Sequence, residues 1–180
     1  MLAVRRPTDV SMKPRIHLIC GPGSGKSYAA ARLSSLFDVP AYALDDLYWD
    51  RTTYDVRTEP AARDQQLASL VERDGWIIEG VYYGWVAASF AAADIIIVLT
   101  PSIVVRQWRV IKRFVLRKAG RVPSRNESLA SLWRLLRWSQ TFDEQHLGEA
   151  RRAVTTLGRT WVECQTLADV FAATCYLERH

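Results

Sequence analysis

Long hydrophobic runs are missing from this chain. No apolar stretch approaches the roughly 20 residues that span a bilayer. The nearest, following Pro101, is broken by Arg106 and Arg109, so no membrane partner is expected. The opening Met1-Leu2-Ala3-Val4-Arg5-Arg6 is basic but has neither the apolar segment nor the small-residue cleavage site of a secretory signal, so a cytoplasmic location is expected. Cysteine is scarce. Cys20, Cys164 and Cys175 are odd in number and sit in apolar stretches, which argues against a disulfide framework and predicts reduced thiols in the core. No metal-ligand spacing connects them to His17, His146 or His180, and there is neither an internal repeat nor a low-complexity tract.

What is present suits one folded unit. A chain of 180 residues, 49% hydrophobic and 24% charged, can bury one sizeable core but not two. Residues 1–13 read as a flexible polar tail, with Met12 an alternative start, and 14–180 as a single domain in which 101–157 is a helix-rich, lid-containing segment. The excess of 24 Lys and Arg over 19 Asp and Glu, +5, favours a polyanion without choosing between nucleotide and nucleic acid.

Short apolar runs at 16–20, 41–44, 76–78, 95–99 and 160–164 read as strands, and those at 76–78 and 95–99 lack polar alternation, as strands covered on both faces do. Helical patterns at 28–37, 59–73 and through 101–157 separate them, the last interrupted by the Gly- and Pro-containing 119–123. Strands alternating with helices predict an α/β fold: three layers around a parallel, doubly wound, five-stranded sheet, with a helical lid. Ligands of such sheets bind beyond the carboxyl ends of the strands. Lys26, Asp45, Glu79 and Thr100 fall at those ends, whereas Asp94 precedes its strand and falls at the other.

Between the first strand and helix lies Gly21-Pro22-Gly23-Ser24-Gly25-Lys26-Ser27. Glycines there let backbone N–H groups reach phosphate oxygens and supply unusual dihedrals. Lys26 then reaches the β- and γ-phosphates, Ser27 ligates Mg²⁺, and the helix end faces the anion. Gly21 to Ser27, with Tyr28 following, form the expected ATP-binding set. The motif departs from its full pattern at its first position, which is Cys20.

Asp45, in Leu44-Asp45-Asp46-Leu47-Tyr48-Trp49, is the candidate general base or acceptor-orienting group, and Asp46 the candidate cap of the next turn. Glu79 ends an apolar strand and is the candidate second Mg²⁺ carboxylate, with a merely solvated acid as the alternative. Arg106, Arg109, Arg113 and Arg117 recur at helical spacing opposite Val104, Trp108, Ile111 and Val115, predicting a core face and an arginine stripe. Arg109 and Arg113 are the candidates for stabilising charge on the transferring phosphoryl group, against a plain solvated basic face. Trp133 and Trp138 are expected in the core. Tyr48, Trp49, Tyr54 and Arg57 are acceptor-pocket candidates or surface-packed aromatics.

Three segments together carry a resemblance: Ile16 through Ser27, Leu44 through Trp49, and Gly75-Trp76-Ile77-Ile78-Glu79-Gly80. The chain resembles the adenylate-kinase-like group labelled DNA topology modulation protein (FlaR-like), related to nucleoside monophosphate and shikimate kinases. It does so from about Arg15 through the Arg109 to Arg113 helix and more weakly to the last strand. The resemblance implies a P-loop kinase fold using ATP and Mg²⁺, and leaves the acceptor open. Asp45 matches the group's second motif; Glu79 stands where aspartate is usual, and Val81 where asparagine is. The leading expectation is a magnesium-dependent small-molecule kinase, a transferase moving the γ-phosphoryl of ATP to a hydroxyl- or phosphate-bearing acceptor. A nucleotide-gated nucleic-acid-binding module and a P-loop ATPase without an acceptor are the alternatives.

Overall fold

The five apolar runs become five parallel strands. The computed structural model describes residues 13–50, 56–121 and 128–178. Strands β1 (Arg15–Ile19), β2 (Ala41–Ala43), β3 (Trp76–Gly80), β4 (Ile95–Leu99) and β5 (Val162–Cys164) form one sheet in the order β2-β3-β1-β4-β5. Every pairing is parallel. β1 is thus central, flanked by β3 and β4, and the chain crosses over after each neighbour through a helix, as parallel pairing demands.

Side chains alternate across the sheet, and the two helical layers follow that alternation. Ile16, Leu18, Ile77, Ile95 and Ile97 pack under α1 (Lys26–Phe37) and α8 (Leu167–Thr174), with Ala29, Ala30, Leu33 and Val170 as partners. Ile19, Trp76, Ile78, Ile96 and Val98 pack on the opposite face against Leu67, Phe90, Ala150 and Val154 of α3 (Pro60–Val71), α4 (Ala87–Ala92) and α7 (Leu147–Thr156). β1, β3 and β4 are buried almost throughout because both faces are covered. Each fully buried Ile or Leu contributes about 1.5–3 kcal/mol. His17 lies in this core, wholly buried, its Nδ1 3.0 Å from Ser89 Oγ. Burial lowers its pKa from 6.5 to about 3, so it is neutral.

The short α2 (Leu44–Tyr48) follows β2 directly, where the sequence suggested only a turn; Asp45 and Asp46 occupy its first turn, favourable to its dipole. Helices α5 (Ile103–Lys118) and α6 (Leu129–Gln145) fill the helix-rich segment before α7. Tyr54, Met12 and Pro123 lie outside the described residues.

Three expectations about burial are overturned. The buried side of α5 is Arg106, Val110 and Phe114, while Val104, Trp108, Ile111 and Val115 are exposed. A 16-residue helix carrying apolar residues on two sides has two amphipathic solutions. The one adopted buries Phe114 and brings an arginine inward because a carboxylate meets it there. Trp133 and Trp138 are likewise not core residues: they are 69% and 38% exposed, because α6 turns Ser139 and Phe142 inward instead. Cys20 and Cys164 are buried as expected, but Cys175 is exposed in the turn after α8.

Candidate active site

At the carboxyl end of β1 the chain turns into α1 through the glycine-rich loop. Two glycines there are required by geometry. Gly23 has φ 77°, and a Cβ on it would lie 2.4 Å from the carbonyl oxygen of Arg106. Gly25, with φ 94°, caps the start of α1, so Lys26 and Ser27 begin the helix and its first N–H groups face the loop. Cys20 takes no left-handed dihedral and is buried, its N–H donating to the carbonyl of Gly80 at 3.2 Å. The departure from the usual first glycine therefore leaves this turn intact. Burial pushes the Cys20 thiol up to about 12, so it is not a nucleophile. Tyr28, one residue beyond the loop, is exposed.

Register carries the two carboxylates to this loop. Glu79 pairs across the sheet with Leu18 on one side and Ala43 on the other. Sharing the side of Ile77, it faces α1, and Ser27 Oγ donates to Glu79 Oε1 at 2.7 Å. Glu79 is 5% exposed, and its Oε2 is buried with no hydrogen-bond partner among the described residues. Burial raises its pKa, opposed by the charge of Lys26 and reinforced by Asp45 and Asp46. Asp45 stands two residues past Ala43 and is exposed. Its Oδ1 accepts from the Tyr82 hydroxyl at 2.9 Å, and burial together with Asp45 pushes that phenol well above its ordinary pKa. Asp94 lies at the opposite end of the strands, where its Oδ2 accepts from the N–H of Arg15 at 2.7 Å.

The other wall is helical. Arg109 Nη1 donates to the carbonyl oxygen of Ser24 at 2.6 Å, which sets its guanidinium against the loop. Arg106 is 2% exposed and forms a two-pronged pair with Asp143 of α6, Nη1 to Oδ1 at 2.9 Å and Nη2 to Oδ2 at 2.6 Å. Ser139 Oγ donates to the carbonyl of Pro22 at 3.1 Å. So α5 and α6 are clasped together over the loop, while Arg113, one turn beyond Arg109, lines a cavity of about 190 Å³ with Val110, Phe114 and Leu132.

Beside Asp45 stands a wall of rings. Tyr48 and Tyr82 stack at 4.8 Å, Tyr82 meets Trp85 at 5.5 Å, and Tyr48 meets Trp49 edge-on at 5.0 Å. Guanidinium groups lie on it: Arg63 is 4.3 Å from the Trp85 ring centre and Arg57 5.5 Å from that of Tyr48. Sequence reading missed Tyr82, Trp85, Arg63 and the Arg106–Asp143 clasp. Their partners are 37 residues apart for Tyr82 and Asp45 and for Arg106 and Asp143, and no local pattern links residues at that separation.

The donor set fits Mg²⁺ bound with a nucleotide. That ion takes one or two carboxylates and hydroxyls and completes its shell with phosphates and water; Ser27, Glu79 and the unpartnered Glu79 Oε2 match it. Among the described residues no group of three or more His, Cys, Asp or Glu forms a protein-only metal cage. Nor is any described helix long and apolar enough to cross a membrane.

No family model matches the chain, and neither does any curated protein. Solved structures do. A gluconokinase from Sinorhizobium meliloti 1021 is 17% identical, with 93% of each chain covered and a TM-score of 0.51. An uncharacterized protein from Eubacterium ventriosum ATCC 27560 is 10% identical over 92% of this chain and 98% of that one, at a TM-score of 0.47. At such identity the gluconokinase likeness shows the fold, and with the strand order and glycine loop described above, the chain has the fold of a P-loop kinase.

Proposed function

We propose that this protein is an ATP-dependent small-molecule kinase of the adenylate-kinase-like, FlaR-like type. One observation carries the reading: the hydrogen bond of 2.7 Å between Ser27 and a buried Glu79, which joins the glycine loop to the strand end next to Asp45. A P-loop that only gripped phosphate would gain nothing from burying a carboxylate there, since an unpaired buried charge is costly.

In this reading, loop N–H groups and Lys26 hold the ATP phosphates, and Ser27 with Glu79 holds Mg²⁺, which neutralises charge on the phosphates when bound. Asp45 receives the acceptor hydroxyl and orients it toward the γ-phosphorus. Arg109 exchanges its bond to the Ser24 carbonyl for a phosphate oxygen, a stronger charge-assisted contact, and stabilises the transferring group. Arg113, a turn away, has a smaller part. The solved gluconokinase adds hydroxy acids to nucleosides and nucleotides as acceptor classes to test.

Purified protein incubated with ATP, Mg²⁺ and a metabolite panel should yield a phosphorylated product. Asp45→Ala should abolish transfer and leave ATP affinity within about twofold, whereas Lys26→Ala should weaken both. Full transfer activity in Asp45→Ala refutes the assigned role. A second reading has its own observation: Trp108 and Trp133 are exposed beside Lys112 and Arg134, the pairing of rings and cations that binds single-stranded nucleic acid. A salt-dependent gel shift would support it, and absence of any shift at low salt would remove it.

A further inference from the structure

We propose that Tyr82 is a positioning residue for phosphoryl transfer: its hydroxyl takes Oδ1 of Asp45 and turns Oδ2 toward the acceptor. The inference rests on the kinase reading above and adds to it the group that aims the base.

Asp45 is poorly held by its own helix. It stands in the first turn of the five-residue α2 and is exposed. An aspartate in that position swings as readily to nearby backbone N–H groups as to a substrate. Tyr82 makes the choice. Although 37 residues away in the chain, its phenol donates to Asp45 Oδ1 at 2.9 Å. A carboxylate has only two oxygens, so engaging one fixes where the other points.

Tyr82 is itself held in place. A Cβ on Gly80 would lie 2.8 Å from that of Leu44, so the exit of β3 rides directly on the start of α2. Two residues on, the Tyr82 ring stacks on Tyr48 at 4.8 Å, with 27° between the planes, and meets Trp85 at 5.5 Å. Asp45 and Tyr48 are three residues apart and share a face of α2, so a ring stacked on one carries its hydroxyl to the other. The Trp49 side chain, whose only donor is the indole N–H, bonds to the same hydroxyl. An oxygen that accepts from Trp49 turns its own proton to Asp45. Burial and the Asp45 charge raise the phenol's pKa, so Tyr82 stays a donor and does not replace Asp45 as the base. The adjacent Tyr83 is committed elsewhere: its hydroxyl lies 3.0 Å from His146 Nδ1 and donates to Glu149 Oε2.

In the step this serves, the acceptor oxygen bonds to the γ-phosphorus of ATP, and the bond to the bridging oxygen breaks with its electron pair leaving on ADP. The acceptor proton passes to Asp45 Oδ2, while the Tyr82 proton stays on its phenol.

The test follows transfer by the intact protein, with ATP and Mg²⁺, to water, read as released phosphate, and to the metabolite panel above. Tyr82→Phe keeps the ring and removes only the hydroxyl. It should lower kcat about 10-fold, the lower worth of a hydrogen bond to a charged group, while the Kd for ATP stays within about twofold and Tm within about 2 °C. Tyr82→Ala, which loses the ring contacts as well, should also melt lower. An unchanged kcat in Tyr82→Phe overturns the assignment. So does a loss of ATP affinity or of melting temperature that accounts for the slower rate, the mark of a merely structural tyrosine. In both cases transfer by the wild-type protein stands, and the kinase reading with it. If the wild-type protein transfers to neither water nor any member of the panel, the kinase reading fails and this inference fails with it.

Discussion

Asp143→Ala should destabilise the protein by about 2–3 kcal/mol, although Asp143 is not one of the residues proposed to touch substrate. The substitution removes both prongs of the pair with Arg106, at 2.9 and 2.6 Å. Arginine cannot escape by losing its proton, so a positive charge whose side chain is 3% exposed is left uncompensated. Breaking a buried pair in this way costs about 3–5 kcal/mol. The Asp143 side chain is itself 38% exposed, so water reaches the vacated fork and the cost falls below that range, to about 2–3 kcal/mol. That is a large share of the 5–15 kcal/mol by which domains are stable. The melting temperature should fall by about 4–12 °C, at roughly 2–4 °C per kcal/mol for a chain of this size. Urea denaturation followed by circular dichroism measures the loss directly. The double variant Arg106→Met with Asp143→Leu should recover most of it, since apolar replacement of both partners leaves no orphaned charge. A loss below about 0.5 kcal/mol in Asp143→Ala, or a double variant no better than the single one, would refute the reasoning.

Gly23→Ala should lower ATP affinity at least about tenfold and reduce thermal stability, because φ 77° alone costs about 1–2 kcal/mol and the methyl meets the Arg106 carbonyl; titration calorimetry and a melt check both. Glu79→Gln should raise the Mg²⁺ concentration needed for ATP binding while leaving the Ser27 contact possible, read by titrating Mg²⁺ at fixed ATP. Because burial raises the pKa of Glu79, Mg²⁺-dependent binding in the native protein should weaken as pH falls through that raised value, and the variant should lose this dependence. His17 has a folded pKa of about 3 against 6.5. The unfolded chain therefore takes up the proton first on acidification, and stability should drop by about 1.4 kcal/mol per pH unit below pH 6.5. Subtracting the profile of His17→Gln, measured in urea, should isolate that slope; identical slopes would show that His17 is not held neutral.

Much of the active-site frame was legible along the chain. The glycine loop lies between an apolar run and an Ala- and Leu-rich run, and Glu79 lies near the end of its strand and Asp45 two residues beyond its own, so local pattern sufficed to bring them to one sheet edge. The faces of α5 and α6 were not legible. Val104, Trp108, Ile111 and Val115 make as regular a stripe as Ile103, Val110 and Phe114, and helical periodicity cannot rank two stripes on one helix.

The parallel five-stranded sheet, the loop and the strand-end carboxylates were thus legible in the sequence itself, because alternating strands and helices, loop glycines and strand-end acids follow from backbone sterics and short-range periodicity; the strand order β2-β3-β1-β4-β5 was not. Which side of α5 turns inward, whether Arg106 is a surface charge or a buried clasp, and which tyrosine holds Asp45 were decided only in the folded protein. Each depends on a partner 37 residues away, and the free energy of that contact exists only once the sheet has brought the two segments together.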